Sequence, residues 1–117
     1  MILIAQVTTA EPPKVVGFAV FQRVSDEAEL HNLAVNPAYR RQGVARALLQ
    51  EGVRKLREAG VRRVFLEVRA SNLPAIGLYT SVGFILHSTR QSYYQNPVED
   101  ALVMGLDFIP ASRISSH

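Results

Sequence analysis

The chain has 117 residues, a mass of 13.0 kDa and a formal net charge of +3 at pH 7. Hydrophobic residues make up 48% and charged residues 20%, which argues against a disordered or fibrous protein and favours one globular domain covering residues 1–117. The absence of cysteine excludes a disulfide framework, a thiolate metal site and a cysteine nucleophile. The three histidines lack metal-ligand spacing, so we expect no metal.

The sequence gives no sign of a targeting or membrane segment. No basic residue precedes the apolar start at residues 1–5, which argues against a signal peptide. The longest apolar runs, such as residues 15–21, are far shorter than the roughly 20 residues that a membrane span needs. We therefore expect a cytoplasmic protein with no membrane partner.

The positive charge is concentrated in one segment. Residues 40–63 contain eight basic and two acidic side chains, a balance of +6, whereas the rest of the chain has a balance of −3. Such a patch suits an anionic partner, either a nucleic acid or a phosphorylated cofactor. A solvated helix face with extra arginines is an equally good interpretation of the charge alone.

Three strands are predicted before the first helix, over residues 3–7, 15–24 and 29–35. The Pro12-Pro13 pair separates the first two because proline gives no donor to a strand ladder, and residues 25–27 form a turn cluster. Apolar and polar side chains alternate in the third strand, and we expect two faces, with Leu30, Asn32 and Ala34 on one and His31, Leu33 and Val35 on the other.

The strongest helical pattern covers residues 42–59. Small or apolar side chains recur there every three or four residues and form one stripe, followed by Gly60 where a left-handed stop is expected. The stripe consists of Ala45, Leu48, Leu49, Gly52, Val53, Leu56 and Ala59. Residues 61–69 then predict a strand with two faces, Val64, Leu66 and Val68 against Phe65, Glu67 and Arg69.

A second helix is predicted to start at a cap on Ser71 or Asn72 and to end at Gly83. Two strands follow, over residues 84–93 and 101–108, with a frayed tail at residues 109–117. A strand–helix–strand unit within one sheet needs a right-handed crossover. The order predicts an α/β (α+β) fold with a mixed, mostly antiparallel sheet, a parallel pair near its middle and flanking helices.

The segment between the third strand and the first helix is the best candidate site. Gly43 lets a ligand approach the backbone closely, and the first amides of the helix have no intrahelical partner. With Arg40, Arg41 and Arg46 beside it, this helix start could hold a diphosphate. A plain turn with nearby arginines is the alternative, because the pattern by itself is weak.

The pattern of strand, Arg-x-x-Gly-x-Ala and helix resembles the acyl-CoA pyrophosphate loop of the GCN5-related N-acetyltransferase (GNAT) superfamily. Nearly the whole chain, up to about residue 108, is similar to the RimI-type enzymes, which acetylate the N-terminal alanine of a ribosomal protein. The runs that carry this resemblance are residues 33–43, 66–72, 75–79 and 81–84, and Tyr93-Tyr94 followed by residues 99–101.

The resemblance implies a fold in which the central parallel pair splays apart and acetyl-CoA binds beside it as co-substrate. The residues implied to bind acetyl-CoA are Leu33, Ala34, Val35, Arg40, Arg41, Gln42, Gly43, Val44, Ala45, Arg46 and Asn72. It implies that Glu67 is the general base that deprotonates the acceptor amine and that Tyr79 is the general acid for the thiolate. Tyr93 and Tyr94 would contact the acceptor peptide, and no metal is implied.

Ordinary structural roles remain open for these residues. Glu67 could pair with Arg69 or with an arginine of a neighbouring strand, and Tyr79 could be a core aromatic residue. Tyr93 and Tyr94 could be surface aromatics at a strand end.

The expected function is transfer of acetyl to the N-terminal α-amine of a protein, in a ternary complex. The alternatives are acetylation of a small amine and a non-catalytic CoA-binding or RNA-binding module, although we expect no direct nucleic-acid partner. The resemblance also implies that an initial strand and two helices precede Met1 in relatives. Without them, an exposed edge at residues 1–7 would favour a homodimer.

Overall fold

Six strands and two α-helices make up residues 1–108, the part of the chain that the computed structural model describes. The predicted frayed tail at residues 109–117 lies outside the described residues. The elements are β1 (Ile2–Val7), β2 (Lys14–Val24), β3 (Glu27–Val35), a 3-10 turn (Pro37–Tyr39), α1 (Val44–Glu58), β4 (Arg63–Arg69), α2 (Leu73–Val82), β5 (Ile85–Tyr94) and β6 (Glu99–Asp107).

The strands form one mixed sheet in the order β1-β2-β3-β4-β6-β5. Every neighbouring pair is antiparallel except β3 and β4, which confirms the predicted fold class. The connections from β3 to β4 and from β4 to β5 cross the sheet in the same direction. Two right-handed crossovers in one direction place both helices on the same face of the sheet. Side chains of both helices accordingly pack on one apolar cluster.

The parallel pair is short and then opens. Glu27, Ala28 and Glu29 pair with Arg63, Val64 and Phe65, and the pairing stops there. Beyond this point β3 remains bonded to β2, and β4 remains bonded to β6. The two central strands therefore diverge toward their carboxyl ends and leave a cleft between them, as the resemblance implied.

Most of the apolar stripe of α1 packs into the core, as predicted, but Ala59 is exposed because the helix ends at Glu58 and Ala59 is its C-cap. Leu48, Leu49, Gly52 and Leu56 are buried and pack with residues of the central strands. The helix begins at Val44 and not at residue 42, because Gly43 has a left-handed conformation with φ +80° and serves as its N-cap.

The expected alternation along β3 is wrong at its middle. Val20 of β2 pairs with Asn32 and the adjacent Phe21 pairs with Leu30, so His31 is an extra residue in a β-bulge. Because the bulge reverses the phase of the strand, Leu30 lies on the buried side with Leu33, whereas His31 and Asn32 are exposed. Strict alternation had put Leu30 and Leu33 on opposite faces.

Smaller differences occur at element ends. Glu27 belongs to β3 and not to the turn. β4 begins at Arg63 and not at residue 61, because the Val61 amide donates to the Leu56 carbonyl at 3.0 Å and continues the helix end. In β4 the predicted faces are confirmed, since Val64 and Leu66 are buried with Val68.

The second face of the sheet carries neither described helix. Ile2 and Ile4 of β1 and Val15 and Phe18 of β2 are exposed there. Glu67 belongs to the same open face, because it lies in β4 between the inward-facing Leu66 and Val68. No described helix is long and apolar enough to cross a membrane.

Candidate active site

A cavity of about 630 Å³ lies where the end of β3, the start of α1 and the start of α2 meet. All of the residues expected to bind the co-substrate line it, except Gln42, and Tyr79 lines it as well. The lining residues are Leu33, Ala34, Val35, Tyr39, Arg40, Arg41, Gly43, Val44, Ala45, Arg46, Asn72, Pro74, Ala75, Leu78 and Tyr79.

The N-terminus of α1 supplies amide donors to this cavity. The helix has no side-chain cap and no acidic residue in its first turn. Its first intrahelical bond is donated by the Ala47 amide to the Gly43 carbonyl at 3.0 Å, which leaves the amides of Val44, Ala45 and Arg46 without helical acceptors. These free donors and the positive end of the helix dipole favour an anion.

Arginine side chains strengthen this preference. Arg40, Arg41 and Arg46 line the cavity, and none of the ion pairs found within residues 1–108 involves them. Further along the basic segment, Arg54 pairs with Glu51 and Glu58, and Arg62 and Arg63 also pair with carboxylates. Three arginines outside these ion pairs therefore lie together at the helix start.

The opposite wall of the cavity is backbone. The edge of β3 at Leu33–Val35 has no partner on the β4 side, because the parallel pairing ends at Glu29. Half of its amide and carbonyl groups therefore point into the cleft, where an extended ligand could bond to them as an added strand would.

Asn72 stands at the start of α2 and caps it. Its Oδ1 accepts a hydrogen bond from the Ala75 amide at 3.3 Å. The Nδ2 amide of the same side chain remains available to donate to a ligand in the cavity. One side chain can thus fix the helix start and contact a ligand.

Tyr79 reaches the cavity from the second turn of α2. Its ring is half-buried and meets Phe84 edge to face, with ring centroids 6.0 Å apart. Burial raises the pKa of the Tyr79 hydroxyl above its ordinary value of 10. The hydroxyl is therefore a proton donor throughout the neutral range.

Glu67 does not line the cavity. It lies on the open face of β4, and its Oε1 pairs with Nη1 of Arg90 on β5 at 3.1 Å. The sequence had left open an ion pair with Arg69 or with an arginine of a neighbouring strand, whereas the observed partner is on β5, which is separated from β4 by β6. Glu67 lies in β4 beyond Phe65, the last residue paired with β3, on the open face of the sheet, whereas Tyr79 lines the cavity on the helix face.

Tyr93 and Tyr94 lie together at the end of β5, with ring centroids 5.3 Å apart. Tyr94 is half-buried beneath the guanidinium of Arg69, 4.1 Å from its ring centre, whereas Tyr93 is exposed. Burial, followed by the charge of Glu67, raises the pKa of Tyr94. Both tyrosines therefore belong to the Glu67 side of the sheet and not to the cavity.

The site differs from the prediction in two respects, the position of Gln42 and four additional lining residues. Gln42 lines a different hollow of about 480 Å³ between β1 and α1. Tyr39, Pro74, Ala75 and Leu78 line the main cavity although the sequence did not suggest them. The spacing of Ala75, Leu78 and Tyr79 on one helix face could have indicated two of them.

The family model for the acetyltransferase (GNAT) family matches residues 3–84. The chain belongs to the GNAT family. All residues that line the cavity beside the splayed strands lie within the part of the chain that the GNAT family model matches.

The chain is also similar to individual members of the GNAT family. The chain is 48% identical over 95 residues to the ribosomal protein bS18 alanine N-acetyltransferase of Escherichia coli K12, covering 80% of this chain and 64% of that protein. A crystal structure of the E. coli ribosomal-protein-S18-alanine N-acetyltransferase has a TM-score of 0.78 at 46% identity, covering 83% of this chain and 64% of that one.

A second GNAT structure, ribosomal-protein-alanine N-acetyltransferase from Brucella melitensis, has a TM-score of 0.81 at 27% identity. It covers 92% of this chain and 68% of that one. The chain thus spans slightly less than two thirds of the length of the E. coli relative.

Proposed function

We propose that this chain transfers the acetyl group of acetyl-CoA to the N-terminal α-amine of a protein. The observation that carries the proposal is the 48% identity over 95 residues to an enzyme named for this reaction on ribosomal protein bS18. The cavity agrees with it, because its free amides and arginines suit a diphosphate.

Each wall of the cavity would hold a different part of acetyl-CoA. The amides of Val44–Arg46 and the nearby arginines would bind the pyrophosphate. The pantetheine arm would extend along the free edge at Leu33–Val35, and the Nδ2 of Asn72 would donate to it. This path would direct the thioester toward the cleft between β3 and β4.

The acceptor would approach from the open face, where Glu67 lies. An α-ammonium with a pKa near 8 is mostly protonated at pH 7 and must lose a proton before it can attack. We propose that the Glu67 carboxylate removes this proton. The amine nitrogen then bonds to the thioester carbon, the C–S bond breaks, and Tyr79 donates its proton to the sulfur. The nitrogen gives up two protons in all: the one taken by Glu67 passes from its carboxylate to solvent, and the one released after the attack restores the Tyr79 hydroxyl.

The acceptor class follows from the relatives and from the Glu67 side of the site. The relatives are named as alanine N-acetyltransferases of a ribosomal protein, and a ribosomal acceptor would imply a cytoplasmic location. The exposed ring of Tyr93 offers a surface on which a peptide backbone could pack. A small amine would gain less from packing against this ring than a peptide would.

The experiment begins with calorimetric titration of acetyl-CoA into the protein. The protein is then incubated with acetyl-CoA and peptides that begin with Ala, Ser or Met, and mass spectrometry detects addition of one acetyl group. Matched controls are the same peptides with a blocked N-terminus, and spermidine as a small amine. We expect saturable binding and acetylation of the free alanine peptide only. Binding without transfer would indicate a CoA-binding module, and preferential acetylation of spermidine would replace the acceptor assignment.

We further propose that two copies associate through the outer edge of β1. Within residues 1–108 this strand has a neighbour on one side only, β2. Residues 1–10 contain no charged side chain that would oppose pairing with a second copy.

A further inference from the structure

Arg90 contacts two groups on the open face of the sheet, from which the acceptor is proposed to approach. Its Nη1 lies 3.1 Å from Oε1 of Glu67, and its guanidinium lies 5.4 Å from the ring centre of Tyr93. The sequence did not single it out. Among the described residues it is the arginine that contacts both the proposed base and the exposed aromatic ring.

The sheet places Arg90 where it can do this. Arg90 pairs with Ala101 of β6, which pairs in turn with Arg69 of β4, so that these three side chains lie on the same face. Ala101 is fully buried, and its small side chain leaves room for larger ones to lie over it. A long side chain from β5 can therefore reach across β6 to Glu67.

Arg69, the other arginine on this part of the face, is already engaged. Its guanidinium covers the ring of Tyr94 at 4.1 Å, and its Nη1 lies 3.4 Å from Oε2 of Glu99. Glu99 also accepts a hydrogen bond from the Ser71 amide at 2.6 Å. These contacts attach the β5–β6 hairpin to β4, and they leave Arg90 as the cation paired with Glu67.

We propose that Arg90 is a positioning residue of the acceptor site, holding the Glu67 carboxylate and the Tyr93 ring in one fixed arrangement. The inference rests on the function proposed above. A carboxylate on an exposed strand face has several rotamers, and a guanidinium bonded to it selects one. Proton removal and peptide contact then depend on the same side chain.

The two contacts have separable kinetic effects. Losing the contact with Glu67 lowers kcat, because a misplaced base is a poor one. Losing the contact with Tyr93 raises the KM for the peptide. Neither contact reaches the cavity, so the affinity for acetyl-CoA stays unchanged. Lysine retains a charge near Glu67 but lacks the planar fork that stacks on a ring, so R90K recovers more of kcat than of KM.

The test compares R90A and R90K with R54A, each in the wild-type background, and R90A again in an E67Q background. Arg54 is the matched control because it is an ion-paired arginine on α1 whose side chain is almost as exposed as that of Arg90, 52% against 54%. For R90A we expect an approximately tenfold loss of kcat and a severalfold rise in peptide KM, with the acetyl-CoA Kd unchanged. In the E67Q background, R90A should change kcat by less than about twofold, because its partner is already absent.

Three results would overturn the assignment. They are unchanged kcat and KM in R90A, an equal loss in R54A, and a full additional loss of kcat when R90A is combined with E67Q. Circular dichroism and the thermal midpoint establish whether R90A is folded, and R90K replaces it if it is not.

If the wild type acetylates no peptide, the proposed function fails separately. Arg90 is then judged by the affinity of the alanine peptide for CoA-saturated protein. Weaker binding by R90A supports the contact with Tyr93, and equal binding by wild type and R90A rejects the assignment.

Discussion

The ring of Phe21 on β2 lies directly against Gly52 on α1. A Cβ atom added at Gly52 would overlap Cε1 and Cζ of this ring, and both residues are buried in the core. Glycine is therefore required at this point of the apolar stripe by the close approach of helix and strand. The contact fixes the distance between α1 and the sheet, and through it the position of the helix start that faces the cavity.

We predict that G52A destabilises the protein by about 1–3 kcal/mol, because overpacking forces the helix or the ring to move. G77A is the matched control. Gly77 is also inside a helix, and a Cβ there meets nothing within 4 Å, so alanine should stabilise by about 0.5–1 kcal/mol through helix propensity. Urea unfolding followed by circular dichroism measures both. Equal stability of the two variants would contradict the packing argument.

The second prediction concerns the anion preference at Gly43. Its φ of +80° strains any side chain, but a Cβ would meet no atom within 4 Å, so a longer side chain has room to enter the proposed phosphate site. In G43E a carboxylate would compete with the phosphates. We expect acetyl-CoA to bind at least tenfold more weakly to G43E than to G43Q, a difference of about 1.4 kcal/mol.

G43Q is a fair reference because it has the same backbone strain and almost the same shape as G43E, without the charge. Calorimetric titration of acetyl-CoA into both variants measures the difference. If the two variants bind equally, strain alone explains any loss, and the amides of α1 do not hold an anion.

Local sequence signals predicted most of the fold. The stripe on α1, the alternation in β4 and the caps at Asn72 and Gly83 depend on neighbours a few residues apart, and the structure contains all of them. The bulge at His31 could not be predicted in this way. It arises from the register between β2 and β3, and a single strand does not specify the register of its partner.

The same distinction applies to the site. The motif at the helix start indicated one wall of the cavity, and the resemblance to the family implied the other, at the β3 edge. The pair of Glu67 and Arg90 joins strands that are separated by β6, and no spacing along the chain indicates which arginine a strand carboxylate will meet. The pairing of Glu67 with Arg90 depends on the strand order of the folded sheet.

The third prediction concerns Tyr79 and pH. Burial raises the pKa of its hydroxyl above 10, so the protonated form is favoured in the folded state. Tyr79 should therefore remain a proton donor across the whole range below pH 10. Its contribution to stability is complete below pH 10 and is lost as the pH rises through the higher value of the folded protein.

Ultraviolet titration of phenolate in wild type and Y79F tests this, because the difference between the two curves isolates Tyr79 from the other tyrosines. We expect the difference curve to have its midpoint above pH 10. We also expect Y79F to lower kcat by about 10²-fold or more while leaving the Kd for acetyl-CoA unchanged. A midpoint below 10 would contradict the effect of burial, and unchanged turnover would remove Tyr79 as the acid.

The fourth prediction separates the two tyrosines of β5. Tyr94 packs under Arg69, so Y94A should destabilise the protein by about 1 kcal/mol through the lost cation–π contact and lost burial. Tyr93 is exposed, so Y93A should leave stability unchanged and raise the KM for the peptide severalfold. Thermal unfolding and steady-state kinetics with the alanine peptide measure the two effects. Equal loss of stability in both variants would show that Tyr93 is also structural.

The fifth prediction concerns the edge strand β1. Ile2 and Ile4 are 66% and 58% exposed, and no neighbouring strand covers the outer edge of β1 within residues 1–108. An uncharged edge with exposed β-branched side chains favours pairing with another strand, and an antiparallel pair of identical edges satisfies twofold symmetry. Sedimentation equilibrium should therefore detect a dimer of the wild type at micromolar concentrations.

A lysine on the edge should prevent this pairing, because two such charges would face each other across the twofold axis. We expect I4K to be a monomer at concentrations where the wild type dimerises. The matched control is V24K, which places the same charge on a side chain of similar exposure, 67%, at the end of β2 and away from the edge. V24K should dimerise as the wild type does. A wild type that stays monomeric at 100-fold higher concentration, or equal dissociation of I4K and V24K, would rule out the β1 edge as the interface.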